Sequence, residues 1–190
     1  MKFNLLIVLL IFIGCKNKSE QTYRMYGENR IYTVENMYEV LIPKSLNQTD
    51  RLNDLTDFQF ENIDDDLYVI ILDQPKQTFY KAIEDKQYNE QPNLTGYYNT
   101  VIKHFNELYN QFIVYDISRE KLNSSNAVVF SMTGISKEDG IEDFYRYAVI
   151  ESDSRFYQIM SWTKKEKEKN VIDRMNQIIM SFKVKEQNNN

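Results

Sequence analysis

The middle of the chain opens with short runs in which apolar and polar residues alternate. MYEVLIP (37–43) alternates from Tyr38 to Ile42 before its proline, and DFQFEN (57–62) alternates in the same way. LYVIIL (67–72) is apolar throughout, which is typical of a strand buried on both faces. Because successive side chains of a strand point to opposite faces, these runs predict three β-strands.

The apolar period then changes from two to between three and four, which predicts helices. Asp73 and Pro75 mark the start of a short helix that turns Phe79 and Ile83 inward. The clearest stripe contains Leu94, Tyr98, Val101, Phe105, Leu108 and Phe112. A terminal stripe contains Val171, Ile172, Met175, Ile179 and Phe182, and Thr163 with Glu166 have the spacing of a capping box at its start.

Four further strand runs lie between the second and the terminal helix. They read FIVYDI, NAVVFSMTG, DFYRYAVIE and RFYQIMSWT, and the turns SKEDG and SDS separate the last three. Short turns between strands favour an antiparallel meander. The order β-β-β-α-α-β-β-β-β-α therefore predicts an α+β fold, with an antiparallel sheet of about six or seven strands flanked by helices.

The element order and three short motifs resemble the Mog1/PsbP-like superfamily. The motifs are YEVLIP (38–43), FYQIMSW (156–162) and IIMSF (178–182). Members include photosystem assembly subunits, a Ran-binding protein, secretion chaperones and many bacterial lipoproteins. The resemblance implies an α/β/α sandwich that serves as a scaffold for binding other proteins, and it transfers no catalytic residue.

The N-terminus carries a different pattern, with Lys2 followed by an unbroken apolar stretch from Leu5 to Ile13. This stretch is shorter than the roughly 20 residues that span a bilayer, but it suits the apolar core of a secretory signal. With Gly14 and Cys15 it resembles the bacterial lipoprotein signal, although Phe12 stands where that motif prefers leucine. The resemblance implies cleavage before Cys15 and lipidation of its thiol. The alternative is an uncleaved N-terminal anchor with an incidental cysteine.

These patterns divide the chain into four parts. We expect a signal peptide at 1–14, a tether at 15–35, one Mog1/PsbP-like domain at 36–183 and a disordered tail at 184–190. A lipid on Cys15 would hold the domain in the cell envelope. Lys16 stands where inner-membrane lipoproteins of some bacteria have aspartate, which favours the outer membrane.

Composition excludes several kinds of chemistry. The formal net charge of −5 argues against nucleic acid as a partner, since phosphate binding needs clustered Lys and Arg. Cys15 is the only cysteine and His104 the only histidine, so a zinc site with several nitrogen or sulfur ligands is excluded. His104 lies off the apolar stripe of its helix and is interpreted as an ordinary boundary histidine. No serine lies in a G-x-S-x-G motif. We therefore predict no enzyme, no cofactor and no metal.

Two acidic clusters remain to be interpreted. Asp64, Asp65 and Asp66 could hold calcium weakly, but the alternating ligands of a calcium loop are missing, and a solvated turn fits better. Glu138, Asp139, Glu142 and Asp143 also read as a turn. The sequence leaves calcium binding by these loops open.

The chain is rich in aromatic residues, with 14 tyrosines and 11 phenylalanines. Five tyrosines include positions on either side of their elements and could form an exposed partner-binding patch: Tyr97, Tyr98, Tyr145, Tyr147 and Tyr157. Such patches are common at protein interfaces. The predicted function is a membrane-anchored, non-enzymatic lipoprotein that binds a protein partner, as an assembly factor or an immunity protein does. The alternative is a small-molecule or lipid carrier with an aromatic-lined pocket.

Overall fold

A computed structural model describes residues 20–35 and 37–185 of the chain. The predicted signal peptide 1–14, Cys15, and residues 186–190 of the predicted tail lie outside the described residues.

A seven-stranded antiparallel sheet forms the centre of the domain, with the strand order β4-β5-β6-β10-β9-β8-β7. Its strands are β4 (Asn47–Gln48), β5 (Gln59–Asn62), β6 (Leu67–Pro75), β7 (Tyr109–Leu122), β8 (Ser125–Ser136), β9 (Glu142–Glu151) and β10 (Arg155–Lys164). Strands β7 to β10 follow one another as the predicted meander. β10 then pairs with β6, which places the long apolar run 67–72 in the middle of the sheet.

A second antiparallel sheet has the order β1-β2-β3-β11. It consists of β1 (Gln21–Tyr26), β2 (Asn29–Val34), β3 (Tyr38–Pro43) and β11 (Lys183–Val184). The alternation predicted at 37–43 is confirmed, because Tyr38, Val40 and Ile42 are buried on one side of β3.

The described residues also form three α-helices: α1 (Lys76–Glu84), α2 (Leu94–Leu108) and α3 (Glu168–Ser181). The helices α1 and α2 cover one face of the central sheet, where Phe79, Tyr97 and Val101 meet its side chains. The small sheet and α3 cover the other face. Two apolar cores therefore lie on the two sides of one sheet, and the predicted α+β class with an antiparallel sheet is confirmed.

The structure corrects two local predictions. The tether predicted for 15–35 is wrong for residues 21–34, because β1 and β2 form a hairpin with six facing residue pairs. The capping box is also wrong. Thr163 still belongs to β10, where it faces Phe144, so its backbone is part of the sheet and does not start a helix. A 3₁₀ turn at Lys165–Lys167 follows, and α3 begins without a side-chain cap.

Candidate functional site

The five tyrosines of the predicted patch do not lie on an exposed face. All of them are buried, four on the helix α2 side of the central sheet and Tyr157 on the α3 side. Tyr97 stacks on Phe156 with 4.4 Å between ring centroids, and Tyr157 contacts the ring of Phe182 at 5.3 Å. The prediction of an exposed tyrosine patch is therefore wrong, because both faces of the sheet are covered.

Hydrogen bonds satisfy the hydroxyl groups of Tyr97 and Tyr147. The hydroxyl of Tyr147 donates to Oε1 of Gln158, whose Nε2 donates to the hydroxyl of Tyr97 at 2.7 Å. Gln158 is itself buried in β10. Burial raises the pKa of Tyr97 and Tyr147, so both rings stay neutral. The arrangement is that of a satisfied core, since buried polar atoms need partners.

A second buried network joins the starts of β7 and β9. The hydroxyl of Tyr109 donates to Oδ2 of Asp143 at 3.0 Å and lies 2.6 Å from the hydroxyl of Tyr145. Burial raises the pKa of Asp143 to about 6, and the negative charge of Asp139 adds to the rise, while the bond from Tyr109 opposes it. Asp143 thus differs from the solvated turn residue that the sequence indicated.

Two exposed apolar side chains that sequence reasoning missed are on β7, an edge strand of the central sheet. Ile113 is 57% exposed and Ile117 is 51% exposed. Ile113 faces Thr133 in β8, whereas Ile117 falls within a register shift between Tyr115 and Ser118. The run FIVYDI predicts a strand, but nothing local in it shows that this strand lies at an edge.

The backbone of β7 is irregular beside these isoleucines. Register shifts interrupt its pairing with β8 in two places, and Gln111 and Asp116 both have a φ of 50°. Such bulges twist an edge strand and hinder the addition of another strand. We call residues 109–122 the β7 edge. Because its backbone is irregular, a partner would bind its side chains and would not pair with it as an added strand.

The C-terminal half of the β7 edge lines an open cleft of about 400 Å³. Seven of its nine lining residues are polar or charged: Asn93, Thr95, Arg119, Glu120, Lys121, Asn126 and Glu151. Nη1 of Arg119 donates to Oγ1 of Thr95 at 3.2 Å, and the guanidinium lies 5.7 Å from the centroid of the Tyr98 ring. Tyr98 is thus the one tyrosine of the predicted set that reaches the boundary of a surface feature.

The acidic turn between β5 and β6 is engaged by basic residues near and within α3. Arg174 lies 2.6 Å from a carboxylate oxygen of Asp65, and Lys167 lies 2.7 Å from Asp66. Burial acts to raise the pKa of Asp66. The hydrogen bond from Lys167 and the positive charge of Lys164 together have the larger effect, so the pKa lies below its ordinary value. The turn therefore fixes the start of α3 against the central sheet.

His104 lies on α2 at the boundary between core and solvent, as predicted. Burial lowers its pKa, and the negative charge of Glu107 opposes that effect. Its Nε2 is buried and has no hydrogen-bond partner among the described residues.

Within residues 20–35 and 37–185, no group of three or more His, Cys, Asp and Glu side chains is arranged to hold a metal ion. In the same part of the chain, no helix has the length and apolar character needed to cross a bilayer.

No protein family matches the sequence, and no curated protein does either. Solved structures do resemble it. The PsbP protein of the cyanobacterium Synechocystis matches with a TM-score of 0.52 and 12% identity, over 90% of this chain and 96% of that chain. This likeness shows that the domain has the PsbP-like fold, as the order of elements and the short motifs implied.

Weaker likenesses follow to two further proteins. The Saccharomyces cerevisiae Ran-binding protein Mog1p matches with a TM-score of 0.45 and 9% identity, over 87% of this chain and 96% of that chain. LpqN of Mycobacterium tuberculosis, a protein involved in cell envelope biogenesis, has the same TM-score and identity, over 90% of this chain and 87% of that chain.

Proposed function

We propose that this chain is a lipoprotein of the cell envelope, anchored through a lipid on Cys15, whose non-enzymatic domain binds a protein partner through the β7 edge. The outer membrane is the proposed location. The observation that carries the proposal is the pair of isoleucines that the β7 edge exposes, on a strand whose C-terminal half also lines a cleft with charged side chains.

The chemistry of the β7 edge fits a protein surface. Ile113 and Ile117 supply apolar contact area, and Arg119 and Lys121 supply charges at the rim of the cleft. Interfaces combine an apolar centre with a polar rim, and arginine is enriched among their most important residues. The guanidinium of Arg119 is already oriented by Thr95 and Tyr98, so little conformational entropy is lost when it binds.

The carrier function is less well supported. A carrier of lipids or apolar molecules needs an apolar cavity of about 300 Å³ or more. The cleft beside β7 has that volume, but it is open to solvent, and seven of its nine lining residues are polar or charged. The aromatic rings that could have lined a pocket contact one another instead, as Tyr97 and Phe156 do.

Site-specific photo-crosslinking in the native membrane tests the partner-binding surface. A photoreactive phenylalanine at position 113 or 117 should crosslink to one discrete protein, and Arg119→Glu should weaken that product. The matched control is position 63, because Ile63 is 62% exposed but lies in the turn before β6, far from β7. Equal products from positions 63 and 113 would contradict the proposal.

Metabolic labelling tests the anchor. A radioactive fatty acid should label the wild-type protein and leave Cys15→Ala unlabelled. Label that persists in Cys15→Ala would refute lipidation at this cysteine. Membrane fractionation of the wild type then checks whether the protein is in the outer membrane.

A further inference from the structure

The strand β1 carries a concentration of exposed apolar side chains that the partner-binding surface does not use. Among the described residues, three of the eight large hydrophobic side chains that are exposed lie within four positions of one another here. Tyr23 is 60% exposed, Met25 52% and Tyr26 62%. Clusters of exposed apolar side chains mark sites where a protein binds another protein or a membrane.

Tyr23 and Met25 are exposed because their strand lies at the edge of the small sheet. β1 is the outermost strand of the small sheet, and Tyr23 faces Tyr32 in β2, which in turn faces Val40 in β3. Residues that face one another project to the same side of a sheet. Tyr32 and Val40 are buried on that side, whereas Tyr23 and Met25 continue the same apolar face beyond its cover.

The hairpin presents these side chains on an ordered support. β2 is fixed to the core through Tyr32 and Val34, and the ring of Tyr23 lies 5.3 Å from that of Tyr32. At the turn, Gly27 takes a φ of 56°, which brings Tyr26 to the end of the hairpin. The exposed face is therefore a fixed feature of the domain.

The position of Cys15 indicates what covers this face. Gln21 follows Cys15 by six positions, so even a fully extended chain places β1 within about 20 Å of the lipidated residue. Tyrosine suits the boundary between lipid and water, because its ring is apolar and its hydroxyl polar. We propose that β1 lies against the bilayer surface, with Tyr23 and Met25, which project from the same side of the strand, at the level of the lipid headgroups.

This inference rests on the proposed anchor at Cys15 and adds an orientation to it. The β7 edge and β5 are at nearly opposite ends of the central sheet, five strand spacings or about 24 Å apart. The small sheet packs near β5, where Tyr32 contacts Phe58 and Phe60. With β1 on the membrane, the β7 edge faces away from it and is accessible to a partner.

The charges of the hairpin indicate which lipids matter. Arg24 and Arg30 are balanced by Glu20, Glu28 and Glu35 in the same segment. Electrostatic attraction to anionic headgroups needs an excess of basic residues. The contact should therefore be apolar in origin and should not depend on the proportion of anionic lipid.

Spin labels on the lipidated protein in phosphatidylcholine vesicles test the orientation. Once Cys15 is a thioether, Met25→Cys and Ile113→Cys each introduce a single free thiol at a similarly exposed position. Oxygen partitions into lipid, whereas a nickel chelate stays in water. The ratio of collisions with oxygen to collisions with the chelate should therefore be several times higher for the label at 25 than for the label at 113. Adding phosphatidylglycerol should leave that ratio unchanged.

Mass spectrometry of the Cys15 peptide separates the two ways of failing. If Cys15 is lipidated and the two labels give equal collision ratios, the orientation is overturned and the anchor stands. If Cys15 is unmodified, the anchor fails, and the orientation fails with it. Dipolar broadening between labels at position 25 would show a second copy on β1 and would also overturn the lipid contact.

Discussion

The tyrosines of the interior and the tyrosines of the N-terminal hairpin have the same side chain in opposite environments. Tyr97 and Tyr147 are buried, and each hydroxyl is hydrogen-bonded to Gln158. Tyr23 and Tyr26 are mostly exposed at the edge of the small sheet. The comparison shows that a tyrosine is buried when a second layer of the fold covers it. The residue type does not decide its burial.

The largest expected effect is the loss of an interior ring. Tyr97→Ala removes the stacking on Phe156 and the bond from Gln158, and it leaves a cavity, so the free energy of unfolding should fall by about 3–5 kcal/mol. Urea denaturation measures it. Tyr26→Ala is the control and should change stability by less than about 0.5 kcal/mol. A similar loss of unfolding free energy in both variants would mean that the interior and hairpin tyrosines contribute equally to stability.

The hydroxyl network can be tested apart from the rings. Tyr147→Phe leaves Oε1 of Gln158 buried without its donor, which should cost about 1–3 kcal/mol of unfolding free energy. Tyr98→Phe is the matched control, because the Tyr98 hydroxyl makes no hydrogen bond within the described residues; it should be nearly neutral. Chemical denaturation of both variants decides whether the interior tyrosines depend on their hydroxyls.

Asp143 makes the interior sensitive to pH. Its folded pKa of about 6 lies above the ordinary value of 3.8, so the native state binds the proton more tightly than the unfolded state. The stability that this group contributes is complete below about pH 4 and is lost as the pH rises through about 6, by roughly 3 kcal/mol. Asp143→Asn should flatten this part of the stability profile, measured by urea unfolding from pH 4 to 7.

The control for Asp143→Asn removes an equal charge from an exposed turn. Asp153→Asn should keep the pH dependence of the wild type. If the profiles of wild type and Asp143→Asn run parallel between pH 4 and 7, the Asp143 carboxyl is not destabilised by burial.

The smallest effect is expected in the hairpin. Gly27 has a φ of 56° and open space around its missing Cβ, so Gly27→Ala adds only backbone strain, about 1 kcal/mol. Amide hydrogen exchange should quicken in β1 and stay unchanged in β10. Gly27→Asn should be tolerated better, because asparagine adopts positive φ more easily. Faster exchange throughout the domain would mean that the hairpin supports the core.

Much of the fold could be predicted because its signals are local. The alternation at 37–43 and the apolar run 67–72 became β3 and β6, and the stripe from Leu94 became α2. The hairpin 21–34 was missed because β1 has hardly any buried residue and β2 acquires its buried face only through β3. Its turn at Gly27 and its tyrosines were the available signal.

The candidate site was harder to predict because exposure is not a local property. Tyr145 and Tyr147 look two-sided in sequence, yet α2 covers them. Ile113 and Ile117 look like core residues of a strand, yet that strand is at the edge of the sheet. Which strand is outermost depends on pairings between residues as distant as Tyr68 and Trp162.

The sequence by itself determined the positions of most helices and strands, the α+β class, the presence of only one histidine and one cysteine, and the lipoprotein-like pattern around Cys15. These properties depend on neighbours two to four positions away or on composition alone. Only the tertiary structure decided which aromatic and aliphatic side chains are covered, because that cover comes from layers distant in the chain. It buried the five predicted tyrosines and left exposed the hairpin that follows Cys15 and the isoleucines of the β7 edge.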